Sequence, residues 1–199
     1  MPHLSLTDLV DIVSASGTPK LTKVRGVMNR DDYEPAFDYY KQFRDAVLAT
    51  HRANEGKAAL TKRLSNVANP KKVQNYDVLL KGYKSWWGHK TLKWSKPPKA
   101  DYLQNGVSVR VNPELGLLVN GTPHVIKLYL KADKLSKLRV DLITHVMELV
   151  LRGSARKGAV MSVLDVRRSK LISPTVPIAD LTAALNAELA YVRELASSL

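Results

Sequence analysis

Apolar and polar positions alternate most sharply between Val107 and Lys131, in VSVRVNPELGLLVNGTPHVIKLYLK. The run is interrupted once by Asn120-Gly121, the dipeptide that best tolerates the two positive φ angles of a type I′ turn. The spacing predicts a long β-hairpin in which Val119 faces Thr122, Leu117 faces His124, Leu115 faces Ile126 and Val111 faces Leu130. In that register the second face carries Arg110 opposite Lys131, Asn112 opposite Tyr129 and Glu114 opposite Lys127, which predicts a cationic and aromatic surface enclosing one carboxylate.

Helical periodicity brackets the hairpin. Leu4 to Ser14 reads as a short helix capped by Ser5 or Thr7, and Ser16 to Arg30 as a basic connection containing Gly17, Pro19 and Gly26. A longer helix is expected from Asp31 or Asp32 to about Ala53, with Tyr33, Phe37, Tyr40 and Phe43 as packing residues, followed by a short amphipathic piece from Lys57 to Leu64. Asn69-Pro70 gives an N-cap and a first-turn proline, and Gly88 a stop, for a helix with Val73, Tyr76, Leu79, Leu80, Tyr83 and Trp87 on one stripe. After the hairpin, Asp133 or Ser136 opens a helix through Arg152, with Leu135, Leu138, Leu142, Ile143, Val146, Leu149 and Val150 inward. Ala159 to Val166 has the near-continuous apolar character of an interior strand, and Ile178 to Leu199 closes the chain as an amphipathic helix. The fold class expected is α+β: a helical region over residues 1–68, then a small mixed sheet with packed helices over 69–199, with one continuous core as the alternative.

Charge adds a functional direction. The 199-residue chain carries 31 Lys and Arg against 18 Asp and Glu, a net charge of +13. The excess is concentrated in residues 69–110, which hold nine basic and two acidic side chains. Such a balance favours polyanionic partners. All three tryptophans, Trp86, Trp87 and Trp94, fall there among Lys84, Lys90, Lys93 and Lys96, ahead of an extended Pro97-Pro98 linker. Aromatic rings among lysines suit a nucleic-acid strand, since bases stack while ammonium groups displace counterions from phosphate. The packing alternative makes Trp87 a core residue and leaves Trp94 free. Lys134, Lys137 and Arg139 occupy first turns of their helix, where the dipole disfavours cations; a bound anion is one explanation and plain solubility the other.

Candidate chemistry centres on three residues. From Pro70 onward the predicted order is helix, three strands, helix, strand, which resembles the core of the restriction-endonuclease-like, or PD-(D/E)XK, nucleases over residues 70–172. The resemblance implies a divalent metal held by acids on adjacent strands, with a lysine two residues after the second acid. Glu114 matches the first acid and Lys127 the lysine, but Val125 stands where the second acid belongs. Asp165, at the end of its apolar run, is the remaining candidate ligand for Mg²⁺, which keeps several waters and needs few carboxylates. The simpler reading pairs Glu114 with Lys127 across the hairpin and Asp165 with Arg167.

Other chemistries lack their residues. There are no cysteines, the five histidines show no metal-ligand spacing, and no Gly-rich phosphate loop or G-x-S-x-G elbow occurs, so no cofactor is expected apart from Mg²⁺ under the nuclease reading. No apolar run is long enough to span a bilayer and the N-terminus lacks a signal-peptide pattern, so a soluble, cytoplasmic protein without a membrane partner is expected. Three readings stand. The first is a non-catalytic nucleic-acid-binding protein using Lys84, Trp86, Lys90, Lys93, Trp94, Lys96, Arg110, Lys127, Tyr129 and Lys131. The second is a metal-dependent nuclease using Glu114, Lys127 and Asp165, and the third an assembly protein that meets an acidic protein partner or its own copies.

Overall fold

The structure, a computed structural model, describes residues 1–30, 38–67, 69–174 and 180–198. It has the expected α+β class, with two mixed sheets in place of one. Along the chain run β1 (His3–Ser5), α1 (Leu6–Val13), α2 (Gly17–Met28), α3 (Lys41–Arg52), α4 (Lys57–Leu64), α5 (Pro70–Trp87), β2 (Leu92–Trp94), β3 (Ala100–Gln104), β4 (Val107–Val111), β5 (Leu115–Val119), β6 (Thr122–Tyr129), α6 (Lys137–Leu151), β7 (Val160–Asp165), β8 (Lys170–Ile172) and α7 (Leu181–Ser197). The large sheet has strand order β2-β5-β6-β7-β8 and the small one β1-β4-β3. Among the described residues no helix is long and apolar enough to cross a membrane.

The Asn-Gly signal sets the β5–β6 register: Val119 pairs with Thr122, Leu117 with His124 and Leu115 with Ile126. Beyond Glu114 the long arm divides. Val111 pairs with Ala100 on β3, not with Leu130, because the chain leaves the sheet at Asn112-Pro113. Proline has no N–H to donate to a ladder, so the strand is free to end there. The place beside β5 is filled by β2, which pairs antiparallel with it. Between α5 and α6 the chain forms five strands, β2 to β6, where three were expected, and a short β8 follows β7, so the expected helix and strand order of residues 70–172 does not hold; β3 and β4 belong to the small sheet.

Each face of the large sheet is covered. On one, Leu115, Leu117, Ile126, Leu128 and Leu164 bury against Phe43, Val47, Leu60, Tyr76, Leu79, Tyr83 and Trp86 of α3, α4 and α5. On the other, Val125, Tyr129, Met161 and Val163 join α1, α6, α7 and the inner side of the small sheet in a second cluster. Residues between Leu4 and Met28 contribute to this second core and residues between Tyr39 and Val67 to the first, with the large sheet between the two. Helix α6 touches β7 on one side and β3 and β4 on the other. A helix buried on most of its circumference needs apolar residues around it, and Val140, Leu142, Ile143, Val146, Met147 and Leu151 supply them. Leu138 and Leu149, expected inward, are instead exposed.

Local chemistry explains the boundaries. Ser5 caps α1 in a reciprocal box: its hydroxyl accepts from the Asp8 amide at 3.1 Å while Asp8 accepts from the Ser5 amide at 3.0 Å. Residues 17–28, expected as a connection, form α2. Pro19 lies in its first turn, where its missing N–H goes unused, and Lys20 reaches Glu188 of α7 at 2.7 Å. The start expected at Asp31 or Asp32, with Tyr33 and Phe37, lies outside the described residues; α3 itself begins at Lys41. Ser136 caps α6, and Gly88, at φ +49°, follows α5.

Helix α5 approaches the β7–β8 turn at Gly82, where an added Cβ would lie 2.0 Å from the Val166 carbonyl oxygen. Gly82→Ala is expected to destabilise the fold by about 1–3 kcal/mol through overpacking, although alanine is the better helix former by about 1 kcal/mol. Urea denaturation checks this, and an unchanged or raised midpoint would show that the helix can move aside.

Candidate functional site

The expected basic hairpin face does not form one surface. Arg110 lies on the small sheet, exposed and paired with Asp101 at 3.3 Å. Tyr129 is 7% exposed beneath the second core cluster, because α1 and α6 cover the side of β6 that the hairpin pattern alone leaves open. Lys127 and Lys131 remain partly accessible on that side, each tied to a carboxylate.

The Lys/Trp segment divides differently from expectation. Trp86, not Trp87, is the core residue, at 3% exposure. It continues the Tyr76, Leu79, Tyr83 stripe three residues further and packs on the Tyr83 ring at 5.3 Å between centroids. Its burial removes it from any contact surface. Trp87 is half-buried against His51. Trp94, on the edge strand β2, is partly exposed, with the Arg52 guanidinium 5.3 Å from its ring centroid. Around it Lys93, Lys96 and Lys99 are exposed, as is Lys81 on α5, and among the described residues none of these lysines has a carboxylate partner. Lys84 reaches the Thr61 hydroxyl at 3.4 Å and Lys90 the Trp86 carbonyl, so both keep their charge un-neutralised.

A second feature lies between β6, α1 and α6. A cavity of about 110 Å³ is lined there by Arg44, Glu114, Lys127, Tyr129, Lys131 and Arg139, with an apolar wall that includes Leu6, Val10 and Ile143. Glu114 closes one side. Its Oε1 accepts from Lys127 Nζ at 2.6 Å and its Oε2 from the Leu128 amide at 2.9 Å, so one carboxylate joins the end of β5 to β6. Two lining cations are held from outside the cavity: Asp11 of α1 accepts from both Lys131 and Arg139 at 2.5 Å. Burial pushes the Asp11 carboxyl up, but the hydrogen bonds from Lys131 and Arg139 outweigh it and hold the group below the usual carboxylate range. Asp11 has no signal in the sequence, since its partners are 120 and 128 residues away.

The register also places Asp165. It pairs with Tyr129 across parallel strands, so its side chain shares the sheet face of Tyr129 and Lys127. It is 3% exposed and accepts from the Arg168 amide at 3.2 Å and its guanidinium at 3.1 Å. Arg168, rather than Arg167, is thus its partner, because the turn after β7 folds residue 168 back over the strand end; Arg167 instead donates to the Leu130 carbonyl. Val125, at the position of the second acid, is buried in the core. Among the described residues no three His, Asp or Glu side chains gather in a group fit to hold a metal ion. No protein-family model, curated protein or solved structure matches the chain.

Proposed function

We propose that this chain is a non-catalytic nucleic-acid-binding protein whose contact surface is the Lys81 to Lys99 segment. The observation that carries the reading is that Lys81, Lys93, Lys96 and Lys99 are exposed and, among the described residues, without carboxylate partners, in the same stretch of chain as the partly exposed Trp94. Unpaired ammonium groups neutralise phosphates and release counterions, while an edge tryptophan offers a π-face to a base. The net charge of +13 supplies the long-range attraction. Lys84 and Lys90 extend the same positive field, and Arg110 lies on the other sheet with its charge offset by Asp101.

The test is the salt dependence of binding to single- and double-stranded oligonucleotides. Lys93→Glu/Lys96→Glu is expected to weaken binding across all sequences and to lower the slope of log K against log salt by about 2. Trp94→Ala is expected to cost about 1–3 kcal/mol on single strands and less on duplex. A flat salt slope, or a double variant that binds as the parent does, refutes the proposal.

A further inference from the structure

We infer that the cavity between β6, α1 and α6 is a binding site for a terminal phosphate group, a phosphomonoester, received by Arg139, Lys131 and the Tyr129 hydroxyl. Two independent observations meet there. Tyr129 is 7% exposed, lines the cavity, and its hydroxyl has no hydrogen-bond partner among the described residues. A buried donor of this kind destabilises the empty protein, and a ligand oxygen would satisfy it. The lining is also rich in donors: Lys131 and Arg139 share the single carboxylate of Asp11, which leaves spare N–H groups on both.

Burial keeps the tyrosine protonated, and the nearby Asp133, Asp11 and Asp165 carboxylates act in the same direction against the opposing influence of Arg139, so the hydroxyl is available to donate. Donors from β6 and α6 approach from different directions, which suits a tetrahedral oxyanion better than a planar carboxylate. A space of about 110 Å³ walled by Leu6, Val10 and Ile143 has room for one phosphate-sized group. A phosphate that ends its molecule, as a strand terminus or a small phosphate ester, fits that volume.

The experiment compares the full chain with Tyr129→Phe, which keeps the ring and removes only the hydroxyl. Inorganic phosphate is expected to raise the thermal midpoint of the parent progressively with concentration. Tyr129→Phe is expected to match or exceed the parent midpoint without phosphate and to lose about tenfold in phosphate affinity. Oligonucleotides of one sequence with a 5′-phosphate or a 5′-hydroxyl distinguish the source: phosphate-dependent tightening that Tyr129→Phe removes assigns a strand end. A response to inorganic phosphate without such discrimination assigns a small ester. No midpoint shift in the parent, or an equal shift in Tyr129→Phe, overturns the inference. Lys93→Glu/Lys96→Glu should retain the phosphate response, so failure of the surface reading and failure of the cavity reading are separable.

Discussion

Glu114→Ala is expected to destabilise the protein by about 2–4 kcal/mol, because it leaves a largely buried cation and a backbone N–H without their acceptor. The Lys127 and Glu114 side chains are 15% and 12% exposed, and their 2.6 Å ion pair is backed by the Leu128 amide on the second carboxylate oxygen. Removing the carboxylate leaves an ammonium group and a backbone N–H without their acceptor. Solvation of that ammonium is worth several kcal/mol, whereas replacing the whole pair is far milder. Glu114→Leu/Lys127→Met is therefore expected to recover most of the loss. Guanidinium denaturation of the two single variants and the double gives the coupling energy directly. A loss below about 1 kcal/mol in Glu114→Ala would show the pair to be a solvated surface contact and no structural tie between β5 and β6.

Stability should also fall by about 3 kcal/mol between pH 6.5 and pH 4, from His51 alone. Its Nε2 lies 2.6 Å from the Tyr83 hydroxyl inside the α3–α5 core, and burial pushes its pKa from 6.5 down to about 4. The unfolded chain takes up a proton near pH 6.5 and the folded one does not until about pH 4. Between those values the unfolded state binds more protons, so stability is complete above the window and declines as pH falls through it. Tyr83, fully buried and raised well above its ordinary value, stays neutral throughout. His124 and His145 are also lowered by burial and add a slope of the same sign. Asp8 and Asp11, held below 3.8, release their contribution only at lower pH. Urea titrations at half-unit pH intervals on the parent and on His51→Gln should differ most in slope midway through the window, at about pH 5. Identical pH profiles would remove His51 as the source.

The parts of this fold that could be read from sequence are those fixed by neighbours in the chain. Asn120-Gly121 sets the β5–β6 register because only such a pair relieves two positive φ values, and Asn69-Pro70 with Gly88 brackets α5 for equally local reasons. Asn105-Gly106 carries the same signal and closes β3 onto β4, but it follows Pro97-Pro98 and a short, half-exposed strand that reads as linker. What stays hidden depends on distant partners. Tyr129 alternates correctly with its neighbours yet is buried, since nothing within the hairpin announces α1 and α6 above it. Trp86 and Trp87 both continue the Tyr83 stripe, by three and by four residues, and only the position of the sheet decides between them. Glu114 and Lys127 were legible as a pair from parity; the cavity beside them was not, because Val10 and Arg139 reach it from distant parts of the chain.

The small sheet also sets an order of assembly. Strand β4 is flanked by β1, from residues 3–5, and by the adjacent hairpin arm β3, and the core beneath joins Leu4 and Leu9 to Leu185, Leu189 and Val192. Among the described residues, the core on the other side of the large sheet draws on residues 39 to 171. A chain emerging from its amino end can thus pack the tyrosine-rich core while β1 and α1 still wait for α7. Contacts of such long sequence separation cost more loop entropy and form late. During synthesis the apolar sides of α1 and β4 are the last to be covered, and it is there that a nascent chain would need protection from aggregation.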